Sequence, residues 1–556
     1  MCWRSHSRVK GRREGQSSTK GFPLAADLHT GEATDPQAPT VQEKKEITVK
    51  EATSSTGTTH RCDVVIVGGG LSGLSAALTA AESGLRTIVL EKLPILGGAG
   101  NFPEGSLGIG TRYQREHGIT TTTDQVFAKV MEFHHWRCNA AVIRTLLNES
   151  GRTIDWLVDH GVAIANIRTM FPPEKSLYVW HIYEGRGARV VKVLSHHVRR
   201  AGGIIMTRTP VRELLTDDTG AVAGVVAVDA GGTTVTVGAG AVIVATGGFT
   251  GNREMLERYV PDVSAAGMAK LMYRGPAIDG RTGDGINMSL SAGAALAGMG
   301  TLAGNSPYLD NEPAIRQFSG PDYMKQMRCA LSQPFLWVNK HGDRFYNESF
   351  GSVFSDVYNA MTANGGLMWS IFDDNMRRYM VENGPLTPFN AIVVPGQKMT
   401  ALDKGIERGI RLGFAFTSDT IEGLADRIDI GPARLRATIE KVNHYADGKH
   451  DPEFSRRPEH LIRFDVGNGP YYALKGLRAF FLTLGGVRIN KDMQALDNNG
   501  EVIPGLYVTG QDMGGLYDST YDLLAEGSAS SFALSSGRIA VRTIVQTEIS
   551  KTRRKR

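Results

Sequence analysis

The chain has 556 residues, 41% of them hydrophobic and 21% charged, a composition that excludes a disordered polymer and leaves room for several domains. Its 66 glycines follow no G-X-Y period, which excludes a collagen-like chain and points to tight turns and close backbone–ligand approaches. The net charge of +5 matches the five Lys and Arg of Lys551–Arg556, so the remainder is neutral and no nucleic-acid partner is expected.

Residues 1–60 are rich in Ser, Thr, Gly and charge without sustained periodicity, and read as a disordered arm. Arg12-Arg13 is followed by polar residues, so no targeting signal is complete. The uncharged stretch between Asp284 and Asp310 is rich in Gly, Ala, Ser and Asn, too polar to span a bilayer. A cytoplasmic protein without membrane insertion is the expectation. The four cysteines, Cys2, Cys62, Cys138 and Cys329, form no Cys-x-x-Cys pair, which argues against a disulfide framework, a structural zinc site and an iron–sulfur cluster.

Order is expected from Asp63-Val-Val-Ile-Val67, a buried-strand run. Gly68-Gly-Gly70-Leu-Ser-Gly73 follows directly and opens a helix predicted over Leu74–Ser83, and Thr87–Leu90 is a second strand closed by Glu91. Strand, glycine turn, helix, strand and acidic end in this order make a dinucleotide-binding unit. Gly68 permits the turn, Gly70 lets backbone approach a pyrophosphate, and Gly73 lets helix and strand pack closely. The helix N-terminus then holds phosphates, with Glu91 accepting from a ribose hydroxyl. Asp124 after a threonine run reads as a helix N-cap. His134-His135-Trp136 lacks a partner at ligand spacing, so no metal is expected. Ala241–Ala245 and Gly505–Gly510 read as further strands of an α/β fold.

Lys92-Leu-Pro-Ile-Leu-Gly-Gly98-Ala-Gly-Asn101 and Gly105-Ser106 resemble the flavin-wrapping segment of the fumarate reductase and succinate dehydrogenase flavoprotein superfamily. Further landmarks of that superfamily follow in order. They are Ala245-Thr-Gly-Gly-Phe249, Thr282-Gly-Asp-Gly285, Val338 to Glu348 with its Arg-Phe-Tyr-Asn-Glu end, Thr483-Leu-Gly-Gly-Val487, and Ile503 to Gly510. The resemblance implies a Rossmann-type FAD-binding domain interrupted by an inserted α+β capping domain. The boundaries are a first FAD part at 61–299, a cap at 300–483, a second FAD part at 484–545 and a basic tail at 546–556. FAD contacts carry over to Ser72, Glu91, Lys92, Ala99, Gly100, Asn101, Gly105, Ser106, Val211, Asp284, Gln511, Ala529 and Ser530, beside the turn glycines. Covalent-flavin members carry a histidine in the segment Gly97–Gly105; none is present here, which implies non-covalent FAD.

In the same superfamily the proton-donating arginine stands four residues after the Arg-Phe-x-Asn-Glu glutamate, where this chain has Ser352. Leu482 occupies the position of a carboxylate-binding histidine, and Tyr521 that of a second carboxylate-binding arginine. Fumarate would forfeit several kcal/mol of charge-assisted hydrogen bonds in such a site. Ser519 to Gly527 resembles instead the final loop of 3-ketosteroid Δ1-dehydrogenases, in which a tyrosine bonds the substrate ketone; Tyr521 matches it. The steroid enzymes place a catalytic tyrosine where Ser352 stands, so Ser352 acts as a relay or not at all, with Asp356, Tyr358, Tyr346 and Asp522 as open alternatives.

The implied activity is FAD-dependent oxidoreduction of a carbon–carbon bond next to a ketone in a neutral hydrophobic ring compound, by enone reduction or ketone desaturation. Tyr521 and Ser352 are the candidate catalytic residues, and Tyr472 and Asp522 the candidate substrate contacts. A separate electron donor or acceptor is required, because the chain has no haem or iron–sulfur motif. Two alternatives stand beside it: a reductase of an unsaturated carboxylate other than fumarate, clamped by Arg328 or another cap residue such as Gln333, and a flavin-bearing electron carrier.

Overall fold

The computed structural model describes residues 57–170, 176–260, 270–271, 280–312, 314–390, 392–521 and 524–554. Five parallel strands form the middle of an eight-stranded sheet: β1 (Thr58–Val67), β2 (Thr87–Leu90), β3 (Ile204–Met206), β4 (Thr234–Val244) and β5 (Val502–Val508), in the spatial order 5-4-1-2-3. Val64–Val67 of β1 are buried on both faces, as an unbroken run of β-branched residues in the middle of a parallel sheet should be. Val67 is in register with Leu90 on one side and Val244 on the other.

β1 begins at Thr58, earlier than Asp63, because residues Thr58–Cys62 pair along Val235–Ala239 of β4. The expected arm therefore ends before 57, and residues 1–56 lie outside the described residues. Helix α1 spans Leu71–Glu82 with Gly70 as its N-cap, three residues ahead of the predicted start. A small, Ala- and Ser-rich helix suits this position, since α1 packs between the sheet and the long helix α2, Ser528–Arg554. Ser75 Oγ ties the two helices by donating to Leu534 O at 2.8 Å. The expected basic tail continues α2 as helix through Arg554. The N-cap of helix Thr123–Phe133 is Thr122, in a reciprocal capping box with Gln125. Asp124 sits in the first turn and pairs with Arg144 instead.

A second hydrophobic core runs from Tyr308 to Ala479. Its antiparallel sheet orders Tyr308–Leu309, Tyr471–Leu477, Leu367–Asp373 and Leu336–Val338, with Ala415–Ser418 also paired to Tyr471–Leu477. Helices Asp322–Leu331, Leu402–Leu412 and Pro432–Gly448 cover it, an α+β arrangement. The strands Leu302–Gly304 and Ala479–Thr483 pair with each other where the chain leaves and re-enters the first core. Inside this second unit, Arg344 of the Arg-Phe-Tyr-Asn-Glu segment is fully desolvated against Glu348 (2.7 Å) and Asp451 (2.8 Å). The segment's charges are thus used in holding the cap together. Among the described residues, no helix is long and apolar enough to cross a membrane, and no cluster of His, Cys, Asp or Glu is arranged to hold a metal.

Candidate active site

One elongated cavity runs from the carboxyl end of the central sheet to the junction between the two cores. At its sheet end the turn after β1 is as tight as the sequence requires. Gly68 has φ +112°, and a Cβ on Gly73 would stand 1.9 Å from Gly68 O. Gly70 faces open space, its nearest neighbour being Gly97 O at 3.8 Å from a built Cβ, so a pyrophosphate can approach the α1 N-terminus. Glu91 Oε2 accepts the Gly69 N–H and Oε1 the Leu93 N–H, both at 2.8 Å, and burial raises its pKa against those bonds. Each oxygen keeps a lone pair for a ribose hydroxyl.

Gly68, Gly70, Ser72, Glu91, Lys92, Ala99, Gly100, Gly105, Gln511, Ala529, Ser530 and Tyr521 all line this cavity. The remaining candidates lie behind it. Gly73 packs under the turn. Asn101 Nδ2 donates to Leu96 O at 3.0 Å and shapes the loop, and Ser106 is buried with its Oγ on Ser530 Oγ at 2.8 Å. Asp284 holds Lys92 Nζ at 2.6 Å and so orients a residue that does face the cavity. Val211 is buried at the start of a strand paired with Ala227. These groups fit FAD: an acidic ribose acceptor, glycine-lined phosphate space and a helix N-terminus at the far end, with no histidine in the wall segment Gly97–Gly105.

Two substrate-side expectations need correction. Tyr472 does not line the cavity: it belongs to the cap sheet, where its ring stacks on Phe372 at 5.3 Å and its hydroxyl faces Asp374 at 3.4 Å. Ser352 is buried in the turn before helix Phe354–Ala363 and also lies off the wall, which Phe354 occupies instead. Asp522 lies outside the described residues. Arg328, considered as an anion clamp, is fully buried among the rings of Phe389, Tyr308 and Phe354, 4.9–5.2 Å from their centroids. Gln333 is used up on the backbone of Cys329, Leu386 and Thr387.

Tyr521 is placed by its neighbours. Phe481 meets its ring edge-on at 5.9 Å, and its phenol oxygen accepts from Ala529 N–H and Ser528 Oγ, each at 3.3 Å, at the N-terminus of α2. Donors at a helix N-terminus favour negative charge on that oxygen and so make its O–H a stronger donor. The same cavity wall carries the apolar side chains of Phe318, Phe354, Phe481 and Leu482 together with the polar Asn305 and Asn390.

Several wall residues escape sequence reasoning. Arg186, Arg281 and Glu526 all line the cavity, and Glu526 stands directly before the glycine that precedes α2. Asp512 is a hidden support. Fully buried, it accepts the N–H groups of Gly248 (2.9 Å), Gly247 (3.2 Å) and Thr246, and the Thr246 hydroxyl. It thereby fixes the Ala245–Gly248 wall segment. Burial outweighs these bonds and raises its pKa. An acid four residues after β5 was the available signal, but nothing local told it from a surface residue.

A family model described as FAD binding domain matches residues 63–527. Vinyl phenol reductase of Lactiplantibacillus plantarum is 31% identical over 499 residues, covering 87% of this chain and 96% of that protein. NADH:fumarate oxidoreductase of Klebsiella pneumoniae is 26% identical over 82% of this chain, which spans only 45% of that relative. Among solved structures, 3-ketosteroid-Δ4-(5α)-dehydrogenase from Rhodococcus jostii shares the fold with a TM-score of 0.67 at 23% identity, covering 89% of this chain and 99% of that one. The chain therefore belongs to the FAD binding domain family, within the fumarate reductase flavoprotein superfamily, and is an FAD-dependent oxidoreductase acting on CH–CH groups.

Proposed function

We propose that this protein reduces a carbon–carbon double bond conjugated to a neutral oxygen function on a hydrophobic ring, a cyclic enone or a vinyl phenol. The observation that carries this reading is Tyr521, a phenol in the cavity wall with its oxygen held at the α2 N-terminus by Ala529 and Ser528. A neutral donor there suits an enone oxygen, on which negative charge grows as hydride reaches the β-carbon, or the oxygen of a vinyl phenol that has first been protonated at its terminal carbon to a quinone methide. The full-length likeness to a vinyl phenol reductase supports a neutral ring substrate and the reductive direction. FAD, when bound, would supply the hydride; Tyr521 orients and polarises the substrate oxygen, and the ring of Phe481 beside it helps exclude water. Electrons reach the cofactor from a separate donor. The ring ketone desaturation of steroid dehydrogenases is the same chemistry in reverse and depends on the acceptor offered.

A second reading, reduction of an unsaturated carboxylate, draws on Arg186 and Arg281 in the cavity wall. Arg281 Nη2 already donates to Phe481 O at 3.0 Å, and Arg186 lies 3.5 Å from Glu104. Both cations are thus partly committed to the protein. Anaerobic mixing of the reduced holoenzyme with neutral and anionic alkenes separates the two readings.

A further inference from the structure

A reductase of this kind needs an acid as well as a hydride source, and Ser352, at the position where relatives carry the proton-donating arginine, lies off the cavity. Glu526 lines the cavity with Tyr521 and is 1% exposed. Its Oε1 accepts the Met170 N–H, while Oε2 is buried with no hydrogen-bond partner among the described residues. A carboxylate left in that state costs far more than the neutral acid, which has no charge to desolvate. Burial accordingly pushes its pKa up to about 8, against the Met170 N–H bond and the nearby Thr169 side chain, which both lower it. The other ionisable groups on the described wall, besides Tyr521, are Glu91, Lys92, Glu104, Arg186 and Arg281. Glu91 is bonded by two backbone N–H groups at the nucleotide end, and Glu104 lies beside Arg186.

We propose that Glu526 is the catalytic acid, delivering its Oε2 proton to the carbon of the double bond that does not take the hydride. The inference rests on the reading of the site as an alkene reductase. Hydride from reduced FAD and the proton from Glu526 together add two hydrogens across the bond. The C=C π bond and the Oε2–H bond break, two C–H bonds form, and the carboxylate regains a proton from solvent. The electron pair comes from the reduced cofactor, charged in the assay by dithionite. Met170 N–H on Oε1 holds the carboxyl in place through both protonation states.

The test compares wild type, Glu526→Gln and Glu526→Asp holoenzymes. Each is reduced anaerobically with dithionite and mixed with cyclohex-2-enone or 4-vinylphenol across a pH series, with infrared spectra of the same proteins in H2O and D2O. The expected result is flavin content unchanged, reoxidation by alkene slowed roughly 10²-fold or more in Glu526→Gln, and partial recovery in Glu526→Asp. The wild-type rate falls above about pH 8 and the residual Glu526→Gln rate does not. A protonated-carboxyl infrared band present in wild type at pH 7 is lost in Glu526→Gln. Wild-type rates and pH profile in Glu526→Gln overturn the proposal. A wild-type enzyme inert toward both alkenes contradicts the reductase reading itself. In that case an infrared band insensitive to Glu526→Gln overturns the neutral acid as well, and a band that disappears supports it.

Discussion

Ser528 Oγ stands 3.3 Å from the phenol oxygen of Tyr521 and 3.2 Å from that of Tyr517, so two tyrosines of the final loop share one serine at the start of α2. The loop brings Tyr521 to the cavity, and the helix N-terminus determines which way its oxygen is held. Tyr521→Phe keeps the ring, its contact with Phe481 and the FAD site, and removes only the donor. Flavin content is expected to stay at the wild-type level while reoxidation by a cyclic enone slows by roughly 10²-fold. Unchanged reoxidation in this variant would remove Tyr521 from the mechanism.

Ser352 leads to the opposite expectation. Because it is buried in a turn off the cavity wall, Ser352→Ala should leave single-turnover rates within about twofold of wild type, as for substitutions remote from the reacting groups. A large loss of rate with flavin retained would restore it as a relay and weaken the assignment of the acid to Glu526.

Asp512 governs assembly more than chemistry. Asp512→Ala strands the backbone N–H groups of Thr246, Gly247 and Gly248, each at about 1–3 kcal/mol when buried unpaired. Thermal unfolding of the holoenzyme should shift downward and purified protein should carry less FAD. A variant with wild-type melting and full flavin would show that water replaces the carboxylate without cost.

Much of this architecture is legible in the residues themselves. The run Asp63–Val67, the glycines at 68, 70 and 73 and the acid at Glu91 interact within one βαβ unit, so local pattern and three-dimensional contact coincide. Val502–Val508 is readable as a strand, but its place beside β4 depends on pairing across more than 250 residues. The substrate end is harder for the same reason. Tyr472 and Tyr521 are both tyrosines on segments that return to the flavin domain, and only the register of the cap sheet turns Tyr472 toward Asp374. Asp512 and Glu526 carry no motif. Their importance comes from burial, which is a property of everything packed around them.

Burial of Glu526 also predicts a pH dependence of stability. Its folded pKa of about 8 lies above the ordinary value of 4.5, so the folded state keeps a proton that the unfolded chain releases. The stabilisation is complete below about pH 4.5 and is lost as pH rises through about 8. Glu526→Gln has no such proton, and its melting temperature should therefore gain on wild type as pH is raised across this window. Parallel melting curves for the two proteins across the window would show that Glu526 is ionised in the folded state.

The central claim, a reductase site for neutral conjugated alkenes, is tested most directly by colour. The holoenzyme is reduced anaerobically until its flavin absorbance bleaches, then mixed with fumarate, an aryl acrylate, a cyclic enone and 4-vinylphenol in separate experiments. Rapid return of the oxidised flavin spectrum with the enone or the vinyl phenol, and slow return with both carboxylates, is the result predicted by the neutral donor Tyr521 and by the commitment of Arg186 and Arg281 to Glu104 and Phe481. Rapid return with the carboxylates alone would contradict it, and would assign the oxygen-binding role to Arg186 or Arg281.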